Sequence, residues 1–255
     1  MRGGTNDLAL LEIRDLTKSF GGIRAVDGCS FSVEKNSITA LIGPNGAGKT
    51  TVFNLINGLF AADGGQIDFE GARIDRLRPH QVTRRGISRT FQISRQLNEL
   101  TVLENLVVQS RSGSILDLFK RSILSSERTH GLELLEFVGI AELADEPAAK
   151  LSYGQKKLMD LAAALMARPS LILLDEPAGG INPALLDTII DRVETLRQRG
   201  VTFLVVEHNM DVVMNVCDPV VVMAYGRVLA QGPPAAIQAN DQVLEAYLGS
   251  DDAAA

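Results

Sequence analysis

The stretch that decides the fold is Ile38-Thr-Ala-Leu-Ile-Gly-Pro-Asn-Gly-Ala-Gly-Lys-Thr50. Residues 38–42 are apolar and rich in β-formers, which predicts a buried strand, and the chain from Lys49 to about Asn57 predicts a helix that ends at Gly58. Residues 43–50 fit the pattern G-x-x-x-x-G-K-[ST], in which backbone N–H groups and the helix N-terminus face phosphate oxygens. A glycine-rich turn that binds nothing is the alternative, but the strand–loop–helix context favours a nucleoside triphosphate site.

The remainder of the chain predicts more strands and helices of the same core. Apolar runs predict strands at 171–175, 202–206 and 219–224, and an amphipathic helix over 183–198 begins at Pro183 after Asn182. Strands that alternate with helices predict an α/β fold with a mostly parallel sheet.

Two other regions have different patterns. Short runs at 8–14, 29–34 and 65–70, the first two joined by a Gly21-Gly22 turn, predict an N-terminal antiparallel β layer. Residues 94–153 carry no strand signal, and helices are expected at 101–110, 126–137 and 154–167. This pattern indicates a helical subdomain inserted into the α/β core.

The composition excludes several function classes. Of 255 residues, 45% are apolar, and 25 Lys plus Arg against 31 Asp plus Glu give a net charge of −6. We therefore expect no nucleic-acid partner. No run approaches the roughly 18 apolar residues of a membrane helix, the N-terminus lacks the apolar stretch of a secretory signal, and Cys29 and Cys217 have no metal-ligand spacing. These features predict a soluble, cytoplasmic protein.

The stretch Leu171-Ile-Leu-Leu-Asp-Glu176 consists of four apolar strand residues that end in two carboxylates. At the carboxyl edge of a parallel sheet, Asp175 would face a metal and phosphate site, and Glu176 could orient or deprotonate an attacking water. A solvated turn before Pro177 is the alternative. Adjacent acids at the end of a buried strand are costly without a cation nearby, which favours the functional interpretation.

A third motif narrows the class of nucleotide hydrolase. Leu151-Ser-Tyr-Gly-Gln155, which precedes a predicted helix, resembles the signature of ATP-binding cassette (ABC) ATPases, the nucleotide-binding subunits of ABC transporters. The other motifs of that family are present in the same order along the chain. Phe20 lies where the family has an aromatic residue that stacks on adenine. Gln92 matches the loop between the core and the helical insertion, and His208 matches the switch histidine. Without the resemblance, Gln92 would be interpreted as a solvated loop amide and Phe20 as a core residue. The sequence alone would not decide between a structural and a functional role for His208.

The resemblance implies a P-loop (RecA-like) core and the cofactors ATP and Mg²⁺. It implies one ABC ATPase domain over 8–249, with the core at 8–92 and 154–235, the helical subdomain at about 93–153, a C-terminal helical tail at 236–249 and a disordered tail at 250–255. It implies metal contacts by Thr50, Gln92 and Asp175, and catalytic roles for Glu176, His208 and Gln92. The implied nucleotide contacts are Phe20, Gly43, Pro44, Asn45, Gly46, Ala47, Gly48, Lys49, Thr50, Thr51, Ser152, Gly154 and Gln155.

The resemblance also implies partners. In the family, Ser152 and Gly154 would contact the nucleotide held by another subunit, so this chain would pair with a copy of itself or a similar ATPase. It would drive transmembrane permease subunits from the inner face of the cell membrane, where it is peripheral, and would act indirectly with a substrate-binding protein. Asn182 is a departure, because most cassette ATPases have Asp there.

Within the family, the sequence most resembles the ATPases of branched-chain amino acid importers. This resemblance is carried by Tyr153, the loop 176–183 and the ending Ala246-Tyr-Leu-Gly249. Urea or lipid and lipopolysaccharide systems are alternatives, as is a soluble ABC ATPase that acts on DNA or ribosomes. A non-cassette kinase or GTPase would leave the signature unexplained. The segment Arg73 to Arg95 carries seven arginines, which form either a solvated face with site neighbours or a surface for anionic lipid or a partner subunit.

Overall fold

The computed structural model describes residues 9–90, 97–110 and 125–251. They form an α/β fold with two sheets and helices around them. The strands are β1 (Ala9–Phe20), β2 (Ile23–Glu34), β3 (Ile38–Ile42), β4 (Gly64–Phe69), β5 (Ala72–Arg73), β6 (Ile87–Arg89), β7 (Leu171–Asp175), β8 (Thr202–Val206), β9 (Val220–Ala224) and β10 (Arg227–Gly232).

The larger sheet has the strand order β10-β9-β3-β8-β7-β6. Its strands are parallel except β10, which pairs antiparallel with β9. Alternate residues of β3 lie in different hydrophobic clusters, Ala40 and Ile42 in one and Leu41 in the other. This two-sided burial explains why the central strands are continuous apolar runs in the sequence.

The register of the larger sheet brings three strand ends together. Val206, the last residue of β8, pairs with Leu41 of β3 and with Asp175 of β7. The segments that follow β3, β7 and β8 therefore leave the same edge of the sheet side by side. This edge is where ligands bind in open α/β sheets.

Nine α-helices lie in the described part of the chain, besides two short 3-10 helices at Ala141–Leu143 and Ala148–Lys150. They are α1 (Lys49–Ile56), α2 (Pro79–Arg84), α3 (Val102–Ser110), α4 (Ser125–Val138), α5 (Tyr153–Leu165), α6 (Pro183–Gln198), α7 (Met210–Val216), α8 (Pro234–Gln238) and α9 (Asp241–Asp251). Leu103 of α3, Leu135 of α4 and Leu158 of α5 belong to the same buried cluster as Leu174 of β7. The helical segment thus packs directly on the core.

The smaller sheet has the order β2-β1-β4-β5, with antiparallel pairs throughout. Its buried residues Leu11, Ile13 and Ile67 share a cluster with Phe53 of α1 and Leu204 of β8. The smaller sheet and α1 therefore cover one face of the larger sheet, while α3, α4 and α5 contribute to the cluster on the other.

The structure confirms the α/β class, the mostly parallel sheet, the antiparallel N-terminal layer and the helices of the insertion. β6 and β10 were not predicted from the sequence. β6 has only three residues, and β10 is half exposed, so its sequence is not a continuous apolar run. The helix α9 runs to Asp251, and residues 252–255 of the tail predicted to be disordered lie outside the described residues. No helix among the described residues is long and apolar enough to cross a membrane.

Candidate nucleotide-binding site

The loop between β3 and α1 needs glycine at specific positions. Gly43 and Gly48 have φ angles of +147° and +101°. A Cβ atom at Gly43 would collide with the backbone oxygen of Met223 in β9, and one at Gly48 would collide with the backbone oxygen of Ala25 in β2. Because both obstacles are backbone atoms, another residue at either position would force the loop away from the sheet. Asn45 and Gly46, at the tip of the loop, are exposed.

Lys49 lies inside the curve of this loop. Its Nζ atom donates to the carbonyl oxygens of Gly43 (2.6 Å) and Pro44 (3.0 Å). Burial lowers the pKa of the Lys49 ammonium, and the negative charge of Glu176 opposes that shift. The lysine expected to contact the nucleotide is thus buried within the loop and feels the negative charge of Glu176, while Thr50, the next residue, is exposed.

Asp175, the last residue of β7, forms a buried ion pair with Arg89 of β6. The Arg89 Nη2 to Asp175 Oδ2 distance is 2.6 Å, and the two side chains are 6% and 5% exposed. Arg89 also donates to the Asn54 side chain of α1 (2.6 Å) and lies over the Phe53 ring. This guanidinium links the edge strand, α1 and the carboxylate that we predict to support a metal ion.

Glu176 and His208 face each other across the ends of β7 and β8. Glu176 Oε1 lies 3.3 Å from Nε2 of His208. Glu176 has a φ of +48°, and its N–H donates to the carbonyl of Val206 at 2.9 Å. The hydrogen bond ties the strained turn to β8. Strained non-glycine residues of this kind cluster at functional sites.

The Leu151–Gln155 segment lies at the start of α5. Ser152 is the N-cap, with its Oγ accepting from the N–H of Gln155 (3.3 Å), and the Gln155 side chain accepts from the N–H of Ser152 (2.9 Å). A Cβ atom at Gly154 would collide with Leu185 of α6. This capping box fixes the start of the helix, with Ser152 exposed.

Two contacts connect this segment to the loop after β7. The Tyr153 hydroxyl donates to the carbonyl of Gly179 (3.1 Å), and Nζ of Lys157 donates to the carbonyl of Glu176 (3.1 Å). Across the residues that the structure describes, no hydrogen bond or ion pair joins Ser152 or Gln155 to the phosphate loop. The two hydrogen bonds of Tyr153 and Lys157 place the start of α5 beside the loop that follows β7.

Phe20, at the tip of the β1–β2 hairpin, is 41% exposed. Its ring packs edge to face on Phe60 with centroids 5.2 Å apart, and the Lys18 ammonium lies 5.4 Å from its centroid. The ring is therefore not a core residue. Gln92 lies outside the described residues, so its position relative to the site stays a prediction.

The sequence did not reveal the role of Arg89, although it precedes the Thr-Phe-Gln motif. Arg89 and Asp175 are far apart in the chain and meet only because β6 and β7 pair in parallel, with Arg89 opposite Leu173. A lone arginine inside a three-residue strand would have been the only signal. Of the other arginines in the basic segment, Arg73 pairs with Asp75, and Arg84 and Arg85 are exposed.

The donor groups fit a triphosphate with a bound cation. An ammonium inside a glycine loop offers a positive charge to phosphate, and the N-terminus of α1 adds its dipole. A hydroxyl and a carboxylate, from Thr50 and Asp175, are oxygen ligands of the type that Mg²⁺ takes together with substrate phosphates. Fold and site thus define a P-loop ATPase built around one phosphate loop and one signature segment.

Comparisons with known proteins agree with this class. Residues 26–179 match the family described as "ABC transporter". Residues 227–253 match the family described as "Branched-chain amino acid ATP-binding cassette transporter". The crystal structure of the ADP conformation of MJ1267, an ATP-binding cassette of an ABC transporter, has a TM-score of 0.87 at 36% identity and covers 95% of this chain and 99% of that one. The chain belongs to the ABC transporter family as an ATP-binding cassette.

Curated relatives place the chain more narrowly. It is 40% identical to the probable branched-chain amino acid transport ATP-binding protein LivG of Archaeoglobus fulgidus, covering 96% of this chain and 97% of that protein. It is 39% identical to the high-affinity branched-chain amino acid transport ATP-binding protein BraF of Pseudomonas aeruginosa, covering 94% and 98%. Within the family, the chain is therefore a member of the branched-chain amino acid ATP-binding cassette group.

Proposed function

We propose that the chain is the ATP-hydrolysing, energy-coupling subunit of an importer for branched-chain or other hydrophobic amino acids. The observation that carries the hydrolytic part is the pairing of Glu176 and His208, 3.3 Å apart, at the sheet edge from which the loop with Lys49 also leaves. The substrate class is supported by the curated relatives, whose names describe branched-chain amino acid transport.

In this proposal each residue of the site has a distinct task. Lys49 and the N–H groups of the loop bind the phosphates of ATP, and Phe20 stacks on the adenine. Thr50 and Asp175 would hold Mg²⁺, with Gln92 as a further ligand, and the ion would supply charge stabilisation for the transferring phosphoryl group.

The hydrolytic step itself falls to Glu176 and His208. Glu176 orients the attacking water and accepts its proton, and His208 contacts the γ-phosphate. The backbone of Glu176 is fixed to β8 through its N–H, and its carboxylate faces His208, so the two side chains are held together at the same edge of the sheet. Catalysis in this site consists of positioning and charge stabilisation.

We further propose that the active unit is a pair of such subunits, attached to the inner face of the membrane by permease subunits. The signature residue Ser152 is exposed and thus accessible to a nucleotide held by a second cassette, which supports a composite site completed by that cassette. A dimer is known for MJ0796, a bacterial ABC transporter cassette of the same fold, at 24% identity and a TM-score of 0.76. ATP would join the two subunits, and hydrolysis would release them.

The test is reconstitution of the chain in vesicles with the permease subunits and the substrate-binding protein of an amino acid importer from the same organism. ATP hydrolysis is measured with the binding protein saturated by leucine, by urea or by neither. We expect stimulation by leucine and uptake of the labelled amino acid. Stimulation by urea alone would assign the urea alternative, and ATP hydrolysis without association with any permease would favour a soluble ABC ATPase.

A further inference from the structure

Glu207, the residue directly after β8, is a buried carboxylate to which the proposed mechanism gives no task. The residue is 2% exposed. Its Oε1 accepts from the N–H of Ala178 (2.6 Å), and its Oε2 accepts from the N–H groups of His208 (2.8 Å) and Asn209 (3.0 Å). A single side chain thus collects three backbone donors.

These three donors belong to two different loops. Ala178 lies two residues after Glu176, in the loop that runs from β7 to Asn182 at the start of α6. His208 and Asn209 lie in the turn from β8 into α7, where Asn209 is the N-cap. Glu207 therefore joins the loop of the proposed base to the turn of the proposed switch histidine.

Chemistry explains why a glutamate does this. A buried carboxylate is costly unless hydrogen bonds stabilise its charge. Bonds from N–H groups to a carboxylate are roughly twice as strong as bonds between neutral groups, and the two oxygens accept in different directions. An uncharged side chain of the same shape cannot accept from both loops at once.

We propose that Glu207 is a positioning residue that couples the 176–182 loop to the His208 turn. It holds Glu176 and His208 in register for hydrolysis and keeps the 178–182 segment in the shape that faces a second subunit. This inference rests on the proposed function, because it assigns a task within the same hydrolytic site.

Two variants of Glu207 separate the two loops. In E207Q one oxygen becomes an amide nitrogen, and we expect the remaining oxygen to keep the two donors of the turn and to release Ala178. In E207D the charge stays, but the side chain is shorter by one carbon–carbon bond, about 1.5 Å, so it cannot reach Ala178 while it serves the turn. Both variants therefore remove the link between the loops. E207Q does so by replacing one acceptor oxygen, and E207D does so by shortening the side chain.

The control is E104Q. Glu104, in the first turn of α3, accepts from the backbone N–H of Thr101 (2.8 Å) through a comparable contact in the helical segment. It makes the same carboxylate-to-amide change away from the proposed site. We expect E104Q to keep the kcat and KM of the wild type.

The measurements are kcat and KM for MgATP, thermal unfolding, and amide hydrogen exchange at Ala178, His208 and Asn209. Misplacement of a reacting group by about 1 Å costs on the order of 100-fold in rate. We expect kcat to fall about 10- to 100-fold in both Glu207 variants while KM stays within about twofold, since the phosphate loop is untouched. Exchange should accelerate at Ala178 and stay slow at Asn209.

A further readout is dimerisation. With E176Q as the background, ATP should assemble fewer dimers once E207Q is added, whereas E104Q should leave the assembled fraction unchanged. If both Glu207 variants are unfolded at the assay temperature, the carboxylate is needed for the fold and the inference is overturned. A kcat within about twofold of wild type in both variants would also overturn it. If the wild-type protein hydrolyses no ATP, the proposed function fails, whatever Glu207 does.

Discussion

Replacement of Arg89 by methionine tests whether the Arg89–Asp175 pair supports the site. The substitution keeps most of the apolar stem but removes the guanidinium that lies 2.6 Å from Asp175 Oδ2 and 2.6 Å from the Asn54 oxygen. Both partners of the ion pair are nearly inaccessible, at 6% and 5% exposed. The variant therefore leaves a buried carboxylate without its counter-charge.

The expected cost follows from that burial. Breaking a buried ion pair by removing one partner costs about 3–5 kcal/mol. For a chain of this size, about 1 kcal/mol corresponds to roughly 2–4 °C in melting temperature, so R89M should melt about 6–20 °C below wild type. The matched control is R128M, which breaks a pair with Asp145 whose side chains are 51% and 78% exposed, and it should cost less than about 1 kcal/mol.

The assay is thermal unfolding of the single variants and of the double variant R89M/D175N, with and without MgATP. D175N removes the buried charge, so the double variant should be more stable than R89M alone. If Asp175 supports Mg²⁺ as proposed, MgATP should raise the melting temperature of R89M by more than that of wild type. A loss below about 2 °C in R89M, or a double variant no more stable than R89M, would refute the reasoning.

Three smaller predictions concern the residues around the site. N182A should lose the hydrogen bond that the Asn182 side chain accepts from the N–H of Leu185 (2.9 Å), and its free energy of unfolding should fall by about 1 kcal/mol. N182D should keep the wild-type stability. Thermal unfolding checks both, and wild-type stability in N182A would show that the cap contributes nothing. Burial alone would raise the pKa of Asp75, but its bond from Arg73 holds that pKa below its usual value. R73M should therefore cost stability near neutral pH, and this cost should shrink as the pH falls from about 4, the usual pKa of an aspartate, through the lower pKa of Asp75 in the folded protein. A cost independent of pH would contradict this. F20A should raise KM for ATP about tenfold through lost stacking on the base, with F20Y as a control that stays near wild type.

The sequence predicted the parts of the fold in which local pattern and burial agree. β3, β7, β8 and β9 are buried along their whole length, so their apolar runs stand out. β6 and β10 escaped prediction because their place at the edges of the larger sheet leaves them short or half exposed. Strand existence at an edge depends on a partner elsewhere in the chain, which a local pattern does not show.

The candidate site divides in a similar way. The phosphate loop and the Asp175–Glu176 pair were visible because their chemistry lies in contiguous residues next to a strand. Arg89 and Glu207 were missed because their partners are brought to them by the sheet and by the loops at its carboxyl edge. A carboxylate at the end of an apolar strand was the available signal for Glu207, and a similar signal singled out the pair Asp175–Glu176.

The most direct test of the central claim, that Glu176 acts on ATP held by a pair of these chains, is the mass and turnover of E176Q. Light scattering after gel filtration is measured with ATP and Mg²⁺, alongside steady-state hydrolysis and an E142Q control at an exposed glutamate. We predict that E176Q forms a particle of twice 27.4 kDa with ATP and hydrolyses about 100-fold or more slowly than wild type, while E142Q matches wild type. E176Q that stays at the single-chain mass and hydrolyses ATP at the wild-type rate would contradict the claim.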